Sequence, residues 1–342
     1  MKIGIVGYQS AGKSSLFHFL TEVPPDPGLA HTTQTANAVV PDERVGQLAA
    51  IYQPKKITQA ALTFVDTPGL SRTHEGSAAK LATIREAGCL LVVIGAYSGA
   101  DPRKDLQSFE EDLLIADLDI VSGRVERLRE SVKKPRPNRE AELIELEMLE
   151  PILAQLESGK ALRELTLSSE QARAIKSFQL LTEKPRFVVI NSADDPGDPT
   201  AYLAQYQVTA PAAVFSVALN LDLGKMAEEE RRVFCQEMGL TLYDRGELLR
   251  RIMAASGQML FFTAGDKEVR TWMIRQGGTA EEAAAGIHSD LAKGFVRAET
   301  MTCNDLFQAG SEREIKARNL MRKESRGYVI QDGDILHILA NT

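Results

Sequence analysis

The first hundred residues alternate short apolar runs with stretches of helical period. KIGIVG (2–7), ALTFVDTPG (61–69) and LLVVIGAY (90–97) are apolar at most positions. Such runs fit strands covered on both faces, as in a parallel sheet. SSLFHFLTE and PDERVGQLAAIYQ (41–53) read as helices, the second with Pro41 and Asp42 near its start. From about Asp105 the period changes. Leu114, Leu118, Val121, Val125, Leu128 and Val132 are spaced four, three, four, three, four, a heptad seam. KKPRPNR (133–139) breaks it, and Leu146, Leu149, Leu153 and Leu156 resume it, with Pro151 expected to kink the second helix. The pattern predicts a coiled-coil hairpin with a basic tip. RFVVINS (186–192) and AVFSVA (213–218) restore the strands, so the hairpin is an insertion within one α/β domain. Helical residues 224–256 lead away from it. From about Gly257 a small mixed domain is expected, with EEAAAGIHSDL as one helix across a sheet. YVIQ and ILHIL near the end read as a strand pair around a tight Asp-Gly turn.

Length supports this division. A chain of 342 residues exceeds what one core usually serves. The expected segments are 1–103 and 177–256 for the α/β domain and its exit helices, 104–176 for the insertion and 257–342 for the last domain. Hydrophobic residues at 44% and charged residues at 25% are ordinary for a globular protein. A net charge of −7 argues against nonspecific coating of nucleic acid, which rests on neutralising phosphates. No sequence-specific DNA partner is expected, although a local basic face can still dock on RNA. Cys89, Cys235 and Cys303 are far apart and form no CxxC, so neither a zinc site nor a disulfide framework is suggested. A reducing, cytoplasmic setting fits. A strand begins almost at once, so no cleavable signal peptide is expected, and the run CLLVVIGAY is too short to span a bilayer.

The chemistry is concentrated at strand ends. GYQSAGKSS (7–15) fits G-x-x-x-x-G-K-[ST] between a strand and a helix. Backbone N–H groups of such a loop curl around anionic oxygens, and the helix N-terminus favours negative charge. Gly7, Gln9, Ser10, Ala11, Gly12, Lys13, Ser14 and Ser15 are the candidate phosphate contacts. Lys13 should reach the β- and γ-phosphates and Ser14 should bind Mg²⁺. Asp66-Thr67-Pro68-Gly69 ends the strand ALTFV, where an acid can hold Mg²⁺ through water and the Gly69 amide can sense a γ-phosphate. Thr33, in HTTQTANAVV, is a candidate second hydroxyl ligand, with Thr32 and Thr35 as competitors. Asn191-Ser-Ala-Asp194 ends a later strand, where guanine-reading proteins carry N-K-x-D. Ser216 and Val217 fit the last base-contacting loop. Five elements in this order favour a switch-type NTPase over a small-molecule kinase.

The chain resembles the YchF or Obg-like ATPase family of translation-factor-related P-loop GTPases. The resemblance covers nearly its whole length. It is carried by PDERVGQLAAIYQPKK (41–56), IREAGCLLVV (84–93), the helical insertion and FFTAGDKEVRTWMIRQGGTAEEAAAGIHSDLAKGFVRAE (261–299). It implies an α/β P-loop G domain with helices on both faces of a mostly parallel sheet, an inserted coiled-coil hairpin, and a C-terminal TGS domain of β-grasp fold. It also implies nucleotide hydrolysis linked to ribosome binding. The chain departs from the family pattern in places. Gln9 and Ser10 stand where the family P-loop carries Pro and Asn, an Asn that helps hold potassium in related enzymes. LSRTHEGSAAK (70–80) is shorter than the family loop, and AYSGADPRKDLQ (96–107) lacks the family's histidine.

Leu70 occupies the position where switch GTPases often place a water-orienting Gln, which predicts slow intrinsic turnover. His74 is the imidazole of that loop and the candidate water contact. Asp194 can accept from the N1–H and 2-amino group of guanine, whereas Ser192 replaces the Lys that normally covers the base. GTP is slightly favoured and ATP stays open, as does a nucleotide-sensing module with negligible hydrolysis. Arg313, Lys316, Arg318, Arg322, Lys323 and Arg326, interleaved with Glu312, Glu314 and Glu324, are a candidate RNA-facing patch or a solvated helix face. The hairpin tip is the second candidate contact.

Overall fold

The computed structural model describes residues 1–26, 28, 32–71, 77–97, 99–193 and 198–341. The chain divides into two units, Met1–Ala36 with Thr63–Arg245 and Asn37–Leu62 with Gly246–Thr342. It begins with β1 (Lys2–Val6), α1 (Lys13–Thr21), β2 (Gln34–Val39), α2 (Glu43–Tyr52), β3 (Lys56–Thr58), β4 (Ala61–Asp66), α3 (Ser77–Ile84) and β5 (Cys89–Ala96). Two long helices follow, α4 (Pro102–Ser131) and α5 (Arg139–Glu157), then the short α6 (Ser169–Ile175). Next come β6 (Arg186–Ser192), α7 (Pro199–Gln205), β7 (Ala212–Phe215), α8 (Val217–Gly224), α9 (Glu228–Met238) and α10 (Arg245–Ala255). The remainder holds β8 (Gln258–Ala264), β9 (Glu268–Arg275), α11 (Ala280–Ile287), α12 (Ser289–Lys293) and β10 (Phe295–Thr302). It closes with α13 (Cys303–Ala309), α14 (Glu312–Ala317), β11 (Arg322–Glu324) and β12 (Asp334–Ala340).

The first sheet runs β2-β4-β1-β5-β6-β7. β1 pairs parallel to β4 and β5, β5 to β6, and β6 to β7. β5 and β6 are buried along nearly their whole length, which is why they read as unbroken apolar runs. Register places Ile5 opposite Asp66, Gly95 opposite Asn191 and Asn191 opposite Phe215. The residues that follow β1, β4, β5, β6 and β7 therefore share one edge of the sheet, where open α/β sheets put their ligands.

The helical insertion is present. Asp101 caps α4 by accepting from the N–H groups of Arg103 and Lys104, with Pro102 opening the helix. Phe109 and Leu113 of α4 sit in the first sheet's core with Val92 and Ile94. Val121, Val125 and Leu128 form a second core with Leu149, Ile152, Leu153 and Leu156 of α5, the expected seam. Leu162, Ile175 and Leu180 join it, so residues after the hairpin wrap its base. Helix α5 continues through Pro151.

Asp117 links these layers. It is fully buried and accepts from Arg85 Nη1 at 2.8 Å, the main-chain N–H of Leu181 and Thr182 at 3.0 and 2.7 Å, and the Thr182 hydroxyl at 2.9 Å. Arg85 also donates to the carbonyl of Ala116 at 3.1 Å.

In the second unit the sheet runs β11-β10-β12-β8-β9-β3. Helix α11, opened by the Thr279–Glu282 capping box, covers one face over Phe261, Ala298 and Leu336. This is the expected β-grasp arrangement. Two details differ from the sequence-based expectation. Residues 328–331 do not pair with β12; the buried Asp334 carboxylate accepts from the Tyr328 hydroxyl at 2.8 Å and the Gln331 N–H at 2.9 Å, curling them into a loop. Strand β12 pairs instead with β10 and, at Ile335–Phe262, with β8. Residues 37–62 also group with this unit, not with the first sheet's domain where they were placed. Strand β3 pairs parallel to β9, Ala60 N–H donates to Thr271 Oγ1 at 2.6 Å, and Arg44 bridges Asp42 and Asp332 at 2.7 Å each.

Removing Asp117 leaves the buried main-chain N–H groups of Leu181 and Thr182 without their acceptor and takes the carboxylate from the half-buried Arg85 guanidinium. Asp117→Ala is expected to lower unfolding stability by about 3–5 kcal/mol in urea titration. A midpoint unchanged from wild type would show that the site relaxes around the loss.

Candidate functional site

Residues 7–12 form a loop that leads into α1, as their composition implies. Gly12 caps the helix at φ 94°, and a Cβ there would lie 2.1 Å from Asn191 Nδ2, so only glycine fits. Asn191 holds the loop by donating from Nδ2 to the Ala11 carbonyl at 3.2 Å. The Ser10 carbonyl accepts from the Tyr97 hydroxyl. Lys13 is buried and its Nζ donates to the Tyr8 carbonyl at 2.9 Å. Burial pulls the Lys13 ammonium down to about 8, with Asp66 opposing that shift and Lys80 adding to it. Gln9 and Ser10 are exposed, Ala11 is buried and Ser15 lies half-buried in the first turn of α1.

The metal-ligand candidates meet in part. Asp66 ends β4 and is buried. Burial raises its carboxyl above the usual range; the neighbouring Ser14 hydroxyl, the Lys13 charge and the Thr67 N–H oppose that rise. Its Oδ1 is buried with no hydrogen-bond partner among the described residues. A hydroxyl beside a buried carboxylate oxygen that lacks a donor fits a hard divalent cation such as Mg²⁺. Thr33 is not brought to this pair. It is exposed and lines, with Thr35 and Thr67, a cavity of about 210 Å³ beside β1 and α3.

The stretch after Asp66 folds onto the phosphate loop. Gln9 N–H donates to the Leu70 carbonyl at 2.9 Å, and Leu70 N–H to the Gly7 carbonyl at 3.1 Å. A Cβ on Gly69 would lie 2.6 Å from Lys13 Nζ and 2.9 Å from Gln9 Cα, so the approach needs glycine. Leu70 is buried in the core with Tyr8, Ile94 and Phe109. Its side chain thus anchors this stretch to the sheet. His74 lies outside the described residues, as does Asp194.

On the base side, polar groups expected to meet nucleotide hold the fold together. Asn191 Oδ1 accepts from Val217 N–H at 3.0 Å, and the Ser216 hydroxyl donates to the Ala193 carbonyl at 3.0 Å while capping α8. Three further residues join the site. Tyr97 is one. Tyr8 is another, its hydroxyl donating to buried Asp112 of α4 at 3.0 Å and its ring lying edge-on to Phe109. Lys80 donates to the Gly69 carbonyl at 2.9 Å. Only their nearness to the motifs in the chain, for Tyr8 and Tyr97, pointed to them.

Two family models match the sequence. One, described as a 50S ribosome-binding GTPase, covers residues 2–121; the other, for YchF GTPase C-terminal regions, is described as a protein of unknown function and covers 259–341. The ribosome-binding ATPase YchF of Haemophilus influenzae is 33% identical over 362 residues, covering 99% of each chain. The chain belongs to the YchF/Obg-like ATPase family. Obg-like ATPase 1 of Oryza sativa subsp. japonica is 32% identical over all of this chain and 92% of its own. The solved Schizosaccharomyces pombe YchF GTPase superposes with a TM-score of 0.83 at 27% identity, covering 99% of this chain and 97% of that one. The chain is accordingly a P-loop NTPase of YchF type. Among the described residues no helix is long and apolar enough to cross a membrane.

Within this YchF-type frame the basic stretch near the C-terminus is largely neutralised. Lys316 pairs with Glu312 at 2.9 Å, Arg318 with Glu314 at 3.9 Å, Arg322 with Asp334 at 3.5 Å and Arg326 with Glu281 at 2.9 Å. Those pairs favour the solvated face over an RNA patch. At the hairpin tip Lys134 and Arg136 are exposed.

An anion in the loop favours the charged form of Lys13, which predominates below its pKa of about 8. Nucleotide affinity should be flat below about pH 7 and weaken toward tenfold per unit above about pH 9, with proton uptake on binding near pH 8.5. Calorimetry in buffers of different ionisation enthalpy reads that uptake, and its absence would remove Lys13 as the titrating group.

Proposed function

We propose that the chain is a Mg²⁺-dependent purine nucleoside triphosphatase that works as a nucleotide-dependent switch and binds the ribosome. The observation that carries this reading is the grouping of Lys13, Ser14 and Asp66 under a glycine-closed loop, with Asp66 Oδ1 lacking a donor among the described residues. In that role Lys13 would exchange the Tyr8 carbonyl for the β- and γ-phosphates. Ser14 and Asp66 would hold Mg²⁺, and Thr33 would supply the second hydroxyl once residues 32–35 move toward them. Bound there, the ion neutralises charge on the β- and γ-oxygens. The Gly69 N–H would sense the γ-phosphate, and His74 would orient water.

Ribosome binding is supported by the printed names of the bacterial relatives and by the exposed basic hairpin tip. On the nucleotide, two readings are kept. Asp194 supports GTP, because its carboxylate can pair with the N1–H and 2-amino donors that adenine lacks. The relatives' names support ATP, as does Ser192 in place of the base-covering Lys.

Competition binding of GTP and ATP with Mg²⁺ to wild type and Asp194→Asn tests both. A GTP preference of tenfold or more, about 1.4 kcal/mol, that the variant loses supports guanine reading. An ATP preference that the variant leaves unchanged makes this an ATPase like its named relatives. Hydrolysis measured with and without ribosomes tests the switch: stimulation supports it, and no turnover in either case leaves a nucleotide-sensing module.

A further inference from the structure

Ser10 is a non-glycine residue in the left-handed region, at φ 60°. Such a conformation persists only where its surroundings over-determine it. Two side chains from neighbouring strand ends do so here. The Tyr97 hydroxyl, just past β5, donates to the Ser10 carbonyl. Asn191, near the end of β6, donates to the next carbonyl, Ala11, at 3.2 Å. A planar trans peptide points its C=O and N–H in opposite directions. Fixing the Ser10 and Ala11 carbonyls therefore fixes the N–H groups of Ala11 and Gly12. The two donors converge: a Cβ on Gly12 would lie 2.1 Å from Asn191 Nδ2 and 3.6 Å from Tyr97 Oη. The Tyr97 ring packs over Gly95, where a Cβ would lie 3.3 Å from it.

Position 192 explains why a tyrosine is needed. Ser192 is buried and stands opposite Ala96 in the parallel β5–β6 register, next to Tyr97. It occupies the Lys position of N-K-x-D, and a lysine at this strand end would have the length to bring an ammonium donor round to the neighbouring loop. A serine side chain is too short to carry a donor that far.

We propose that Tyr97 is a positioning residue whose hydroxyl holds the Ser10 carbonyl, and with it the phosphate loop, supplying the donor that Ser192 does not. The proposal rests on the reading of this loop as the nucleotide site.

The test is calorimetric binding of GDP and of ADP, each with Mg²⁺, to the full chain and to Tyr97→Phe, Ser192→Lys and the double variant. Tyr97→Phe keeps the ring, and its affinity for the tighter diphosphate should fall about tenfold. Ser192→Lys added to Tyr97→Phe should restore the affinity to within about threefold of wild type. Rescue by a lysine marks a lost donor, because the lysine does not replace the tyrosine's packing. If the unfolding midpoint of Tyr97→Phe also falls, the double variant still decides the matter. Binding by Tyr97→Phe within about twofold of wild type would overturn the proposal, as would loss without rescue. A wild-type chain that binds neither diphosphate would instead overturn the nucleotide reading itself.

Discussion

The phosphate loop is held partly from within, where the Tyr8 carbonyl accepts from the Ala11 N–H and the Lys13 ammonium, and otherwise from neighbouring strand ends. The carbonyls of Gly7, Tyr8, Ser10 and Ala11 accept from the Leu70 N–H, the Lys13 ammonium, the Tyr97 hydroxyl and the Asn191 amide. Those donors follow β4, open α1, follow β5 and end β6. With the Gly7, Ser10 and Ala11 carbonyls committed to donors outside the loop, the N–H groups that open α1 are left to face an anion. The cradle therefore depends on strand register. The pairing that sets Gly95 opposite Asn191 and Ala96 opposite Ser192 puts the hydroxyl and the amide at adjacent carbonyls. A slip of one residue would turn Asn191 to the other face of the sheet.

The same constraint separates what the sequence makes legible from what it does not. β6 could be placed residue for residue, and β1 and β5 to within about one residue, because burial on both faces leaves unbroken apolar runs. The heptad seam of α4 and α5 was readable because their mutual burial repeats at that spacing. That Lys13, Ser14 and Asp66 would lie near one another was readable because phosphate and metal chemistry fix both residue type and spacing. The hydrogen bonds that Asn191 and Ser216 make within the fold, and the burial of Leu70, were not. An amide that binds a base and an amide that staples two loops have the same letter and the same place in the chain. Strand β3 was also missed: three residues after Pro54 carry no period, and their partner β9 lies more than two hundred residues away. Tyr328–Gln331 has strand composition, yet Asp334 offers its donors a better partner than a ladder does.

Helix α4 ties the loop to the insertion. Its Asp112 accepts from Tyr8, the second residue of the loop, and Phe109 packs edge-on to the same ring. Five residues on, Asp117 takes Arg85 and the chain that leads into β6. The helix then becomes one side of the second core at Val121 and Val125. One helix thus contributes to the first sheet's core, to a buried carboxylate cluster and to the hairpin. Asp112 and Asp117 are each buried on it, and a buried acid is tolerated only where donors converge on it.

Leu70 then bears on rate under the proposed reading. Its side chain is 3% exposed and its main chain makes both hydrogen bonds to the loop. Freeing it exposes a leucine, about 2 kcal/mol, and breaks two main-chain bonds at about 1 kcal/mol each. An arrangement lying about 4 kcal/mol above this one is populated at roughly one part in a thousand. If hydrolysis requires residues 69–70 to leave the loop, the unassisted rate carries that factor. A partner that binds the freed arrangement more tightly removes it by the difference in its affinities, with no new catalytic group. The leucine that cannot orient water is, on this argument, also the element that makes turnover depend on a partner.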